Sequence, residues 1–232
     1  MAPVAMFIVF VALMIAYRLW VRNRNLRRET YIRTFMLPPG LFEKLRLTHP
    51  QLTTKDCQLV AQGLRQFFLS YHKSNYQMVS MPSQVADDLW HAFILYTRHY
   101  QQFCDQAFGR FLHHSPAVVL GGESVGNAGL RRCWWYACKE ENINPKNPSR
   151  LPLLFALDTK LNIKNGFRYA ADCKGVHNTF GDGGSGTPFC GGDFSSATVD
   201  GSTDGFGESS TSSEGAGDSG GDGGGGCGGG GE

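Results

Sequence analysis

Residues 82–104 read PSQVADDLWHAFILYTRHYQQFC, from Pro82 to Cys104. Apolar side chains recur at Ala86, Leu89, Phe93, Tyr96, Tyr100 and Phe103, at alternating spacings of three and four. That is one stripe of an α-helix. Ser83 stands just before the stripe as an N-cap, so the stretch predicts a helix from Ser83 to about Cys104. Asp87, His91 and Arg98 fall nearly opposite the stripe. Asp87 and His91 are one turn apart and share a face. Gly109 and the run Phe111-Leu-His113-His114-Ser-Pro116 predict the turn that leaves the helix.

Upstream, Thr53-x-x-Asp56 is a capping-box variant. The stripe after it, Cys57, Val60, Ala61, Leu64, Phe67, Phe68 and Tyr71, predicts a second core-facing helix in which Cys57 packs. Leu41 to Leu47 predicts a short helix between Pro38-Pro39-Gly40 and Pro50. Downstream, Leu130, Cys133, Trp134, Ala137 and Cys138 predict a helix that starts after Asn127 and shows Arg131, Arg132 and Lys139 on its other face. Asn142 to Arg150 is a loop. Leu151 to Ile163 is a short helix or a buried strand, and periodicity does not decide between them. Asn165-Gly166 is a turn, followed by a short strand near Phe167 to Tyr169. With strand signals this sparse, the expected fold is mainly α: a small helical domain over 35–178.

In front of that domain, residues 4–20 are apolar except for Arg18. About 17 such residues are the short end of what spans a bilayer. Tyr17 and Trp20 suit the interface. Arg22, Arg24, Arg27 and Arg28 follow the run and no side-chain charge precedes it, so the positive-inside rule orients the segment. A cleavable signal peptide would carry its basic residues first and a small-x-small site afterwards; neither is present. The expectation is a single-pass anchor with a basic juxtamembrane segment over residues 1–34. It places the protein in the inner (plasma) membrane with the C-terminal domain cytoplasmic. The arginines are also suited to anionic head groups.

From Gly181 onward the chain holds 21 of the 30 glycines and nine of the 20 acidic residues, with no Lys or Arg. Such a segment buries too little apolar surface to offset the entropy of ordering, so 179–232 is expected to be a disordered acidic Gly/Ser-rich tail. All 22 basic residues lie before it, against eleven acidic ones. A formal charge of +2 therefore conceals a basic domain and an acidic tail. Seven cysteines at irregular spacings, with no Cys-x-x-Cys pair, exclude a disulfide-stapled framework and an all-cysteine zinc ribbon. Reduced thiols in a cytoplasm are the simplest reading.

Imidazole, carboxylate and thiolate are the ligands of zinc and first-row transition metals. Asp87, His91, His113 and His114, with Cys104 as a possible extra, form the candidate site, and a transition metal such as zinc is the cofactor such a set would hold. The spacing matches no His-Glu-x-x-His fingerprint. The same residues have structural readings: a carboxylate in a first turn is favoured by the helix dipole, and histidines solvate or cap turns. No Gly-x-Ser-x-Gly elbow occurs, and a cysteine ending an apolar stripe is usually buried and inert. Gly181 to Gly186 lacks the Lys-Ser/Thr of a phosphate loop. Much of the basic excess is juxtamembrane and no recognition motif accompanies it, so no nucleic acid is expected as a partner.

The block Pro82-Ser83-x-x-x-Asp87-Asp88-x-Trp90-His91-x-x-Ile94-Leu95-x-Thr97-x-x-Tyr100-x-x-Phe103-Cys104, followed by Gly109-x-Phe111-x-His113-His114-x-Pro116, resembles the glycine-rich domain-containing proteins of bacteria and, in longer forms, plants. The similarity covers about Leu41 to Cys173 and includes Arg150 to Asp158. The glycine-rich end with Cys227 is similar to that of bacterial, membrane-anchored members. That family brings no established activity. What the resemblance implies is a signature of Asp87, Trp90, His91, Cys104, His113 and His114. Members often read Trp-His-x-His, whereas Phe93 stands at the second histidine here. A ligand at that position would be lost in this chain; Phe93 also lies on the apolar stripe and can simply pack.

Three functions follow from these readings. The first is a membrane-anchored cytoplasmic domain with a His/Asp/Cys, metal-binding site. The second is a non-enzymatic scaffold that binds a protein partner, its tail a spacer, a self-association element or an intramolecular screen for the basic domain. The third is a metal-dependent hydrolase or oxidoreductase. Clustering of Asp87, His91 and His113/His114 favours the site readings; dispersed histidines beside an apolar patch favour the scaffold.

Overall fold

The structure, a computed structural model, describes residues 2–114, 123–171 and 189–190. Apart from Phe189 and Cys190, the tail over 179–232 lies outside them, as do Ser115, Pro116, Cys173 and Cys227. Among the described residues there are seven helices and one two-residue strand pair. They are α1 (Ala2–Thr34), α2 (Leu41–Thr48), α3 (Thr54–Lys73), α4 (Gln84–Ile94), α5 (Thr97–Ala107), α6 (Glu123–Glu140) and α7 (Leu153–Lys160). Strand β1 (Tyr169–Ala170) pairs in parallel with β2 (Phe189–Cys190), Tyr169 opposite Phe189. The protein is mainly helical.

Helix α3 is the central element and packs against α1, α2, α4, α6 and α7. Its start is the expected capping box: Thr53 Oγ1 accepts from the Asp56 amide at 3.2 Å, and the Thr53 amide donates to Asp56 Oδ2 at 2.9 Å. The bonds from Thr53 hold the Asp56 carboxyl below its ordinary value. The predicted stripe, Cys57 through Phe68, is fully buried, each aromatic ring contributing on the order of 2–3 kcal/mol of apolar burial. Helix α7 settles the ambiguity at Leu151–Ile163. Leu154 and Leu157 lie buried at helical spacing, and the Leu154 amide donates to Gln66 Oε1 at 2.9 Å. Gly63 permits this contact, because a Cβ there would lie 2.4 Å from Leu157 Cδ1.

One expectation fails. The stretch 83–104 is not a single helix but two, α4 and α5, with the break at Leu95–Tyr96. Tyr96 has φ −85° and ψ 59°, outside the helical region, and its amide closes back on the Phe93 carbonyl at 2.9 Å. A straight helix of 22 residues would run about 33 Å. The break instead folds Tyr100 and Phe103 back onto Phe93, with ring centroids 5.2 and 5.6 Å apart. Side-chain periodicity continues through the bend, so the stripe conceals it. Helix α6 also starts at Glu123, before the expected start after Asn127.

Helix α1 has two environments. Pro3–Thr34 is long and apolar enough to cross a membrane, a test a signal sequence also passes, and its most apolar window is entirely unburied. Its last turns join the domain: Ile32 is buried, and Phe35 just beyond packs at a tilt against Phe103 with centroids 4.7 Å apart.

Candidate metal centre

The start of α4 is fixed by a residue distant in sequence. Ser83 caps the helix, its side chain accepting from the Ala86 amide at 3.3 Å. The buried Asp158 of α7 then takes up the free donors of the first turn. Its carboxylate accepts from Ser83 Oγ at 2.8 Å, the Gln84 amide at 2.7 Å and the Val85 amide at 3.2 Å. A fourth bond comes from the Phe167 amide at 2.8 Å. A carboxylate at a helix N-terminus meets both the unsatisfied amides and the positive end of the dipole. Gly166 admits this approach, since a Cβ there would lie 2.6 Å from Asp158 Cβ.

The turn so anchored presents Asp87 and Asp88 about 100° apart around the helix, and each meets histidine. Asp88 Oδ2 lies 2.7 Å from Nε2 of His49, the residue that ends α2, while Asp88 Oδ1 accepts from Gln84 Nε2 at 3.1 Å. This pair ties α2 to α4. Asp87 meets two others: Oδ1 stands 2.9 Å from His114 Nε2 and Oδ2 stands 3.6 Å from His91 Nδ1.

His114 arrives from the far side of α5. The chain leaves that helix through Gly109, whose amide bonds to the Cys104 and Asp105 carbonyls. Its φ is +69°, and a Cβ would collide with the Arg28 guanidinium, so glycine fits on both counts. The returning strand of chain is held by a relay: Trp90 Nε1 donates to Tyr100 Oη at 3.1 Å, and Tyr100 donates to the Leu112 carbonyl at 2.6 Å. Burial pushes the Tyr100 hydroxyl's pKa up, which keeps it a donor. Trp90 also forms the edge against which the His114 ring rests, 4.6 Å between centroids, with His91 4.2 Å away on another side.

Asp87, His91 and His114 thus each offer a ligand atom, all within 4.8 Å of one another. Two ligands at 2.0–2.1 Å from zinc, set at a tetrahedral angle, stand about 3.3 Å apart. The carboxylate–imidazole separations of 2.9 and 3.6 Å lie near that value but involve different Asp87 oxygens, and a metal would draw together ligand atoms that stand within 4.8 Å of one another. The His114 and Asp87 side chains are largely enclosed, whereas His91 is 51% exposed. The cluster therefore opens to solvent on its His91 side.

The other two sequence candidates lie elsewhere. His113 turns toward Phe111, ring centroids 4.8 Å apart. Cys104 is fully buried in the aromatic core, and burial raises its thiol pKa, which disfavours the thiolate that metals bind. Phe93, at the position of the second histidine of Trp-His-x-His, is a core side chain with no exposure. Asp158 and His49 were missed. The signal for Asp158 was its spacing, for it continues the apolar positions Leu154 and Leu157 and so falls on the buried face.

Neither a curated protein nor a solved structure matches the chain. A protein family does, from the last turns of α1 through the helical domain, under a description that carries no activity. Matched over residues 27–194, the chain belongs to the UCP032817-like family.

Proposed function

We propose that the protein is a membrane-anchored domain that binds a divalent transition metal, of the zinc class, through Asp87, His91 and His114. The observation that carries this reading is the convergence of one carboxylate and two imidazoles from separate parts of the chain. Two histidines and one carboxylate leave coordination positions for water or substrate, as catalytic rather than closed structural sites do. The exposed flank at His91 is where these would enter. Asp87, His91 and His114 would hold the metal, which would supply either the lowered water pKa of a hydrolase or the open positions of an oxidoreductase centre. The resemblance of residues 82–116 to the glycine-rich domain-containing proteins supports the same residues as a shared signature.

The basic flank after residue 20 supports a cytoplasmic domain on the plasma (inner) membrane. Protease added to intact cells should spare a C-terminal epitope that it removes after permeabilisation. Metal binding is tested by titrating cobalt(II) into the full chain in detergent. Visible d–d absorption saturating at one equivalent, displaced by zinc and lost in His114→Ala, is expected. An unchanged spectrum in His114→Ala would refute the site.

A further inference from the structure

Away from Asp87, His91 and His114, side chains of α3, α6 and α7 line an open cleft of about 740 Å³, within the range of small-molecule pockets. Its walls carry charge of unequal standing. Glu140 is occupied by Arg33 and by Lys73, the latter at 2.8 Å. Glu141 is occupied by Arg150 and by Gln66 Nε2 at 2.9 Å. Both carboxylates are thus already neutralised by cations or donors of the fold.

Two further cations line the same cleft, Arg65 and Lys160, and neither has a carboxylate partner among the described residues. Arg65 uses Nε and Nη2 on one backbone oxygen, that of Phe35, at 3.3 and 2.9 Å. That bond fixes the plane of the guanidinium and leaves Nη1 uncommitted. Desolvation lowers its pKa, the expected mark of a half-buried cation without a counter-ion. Gln62 lines the cleft as a further polar group, and Leu151 and Leu153 give it an apolar wall.

We infer that this cleft binds a small organic dianion, a phosphate monoester or dicarboxylate, whose charge is met by Arg65 and Lys160 while its carbon skeleton lies on Leu151 and Leu153. The uncommitted Nη1 of a fixed guanidinium donates to an oxygen of such a group, and an ammonium on a flexible stem completes the charge. The source is soluble rather than lipid. Arg33, on the cleft's rim, lies about 20 Å along α1 beyond Trp20, at 1.5 Å per residue, which holds the cleft clear of head groups at the interface.

The test is isothermal titration calorimetry on the full chain in neutral-lipid nanodiscs at low ionic strength. The probes are inorganic phosphate, phenyl phosphate, succinate and dihexanoyl phosphatidic acid. At least one of the first three should bind with one-to-one stoichiometry. Lys160→Gln, at an exposed position that bears no load in the fold, should weaken it about ten-fold, and Arg65→Gln at least as much. No saturable binding by any soluble probe, or equal affinity in Lys160→Gln, would overturn the inference. Stronger binding of the phosphatidic acid than of all soluble probes would overturn the assigned source. Neither variant touches Asp87, His91 or His114, so this result stands or falls separately from the metal centre.

Discussion

Replacing Asp158 by alanine removes the acceptor for four donors at once: Ser83 Oγ and the amides of Gln84, Val85 and Phe167. Asp158 is only 3% exposed, so water does not readily replace it. An orphaned buried donor costs about 1–3 kcal/mol. Such penalties are not additive within one network, and relaxation of the first turn recovers some of them, so about 3–5 kcal/mol is the expected total. For a domain of roughly 150 residues this corresponds to a fall in melting midpoint of about 10 °C. Asp158→Asn keeps the shape and one acceptor oxygen, and should lose about half as much. The assay is thermal melting of the full chain in detergent by circular dichroism. Because Asp87 lies in the turn that Asp158 caps, cobalt affinity at the candidate centre should fall in the alanine variant even well below its melting point. A midpoint within about 2 °C of the parent protein would refute the capping argument.

Other consequences are more local. Tyr100→Phe strands Trp90 Nε1 and the Leu112 carbonyl, so a loss of about 1–3 kcal/mol is expected in denaturant melts, with faster hydrogen exchange in the segment bearing His114. Gly63→Ala drives a methyl group into Leu157 and should cost about 1–3 kcal/mol by overpacking, read as a lowered melting midpoint. His72 is held below its ordinary pKa, chiefly by desolvation, with Asn25 and Glu29 opposing and Arg28 and Lys73 adding to the fall. The unfolded chain then takes up this proton first as pH drops below about 6.5, so stability falls through that range and levels off only below the folded-state value. In His72→Gln the acid-side decline in melting midpoint should be shallower than in the parent protein.

Much of the fold was legible because local signals agreed with the packing. Thr53 and Asp56 announced α3, and its stripe was buried as read. The bend at Tyr96 was hidden because a change of axis leaves side-chain periodicity intact. At the candidate centre, Asp87 and His91 were legible from their one-turn spacing, and Gly109 signalled that the chain turns back. Which of the two adjacent histidines would meet Asp87 was not legible, because it depends on the Trp90–Tyr100–Leu112 relay rather than on spacing. Cys104 sat on an apolar stripe, which argued for burial, and the structure places it in the core. Asp158 and His49 act on α4 across 75 and 39 residues of sequence from Ser83 and Asp88, a separation no local pattern spans.

The measurement that bears most directly on the account is elemental analysis of the full-length protein purified without chelators, beside a His91→Ala, His114→Ala double variant and a His113→Ala control. The account predicts about one equivalent of a transition metal in the parent protein and in the control, and none in the double variant. Equal metal content in all three, or no metal in any, would contradict it.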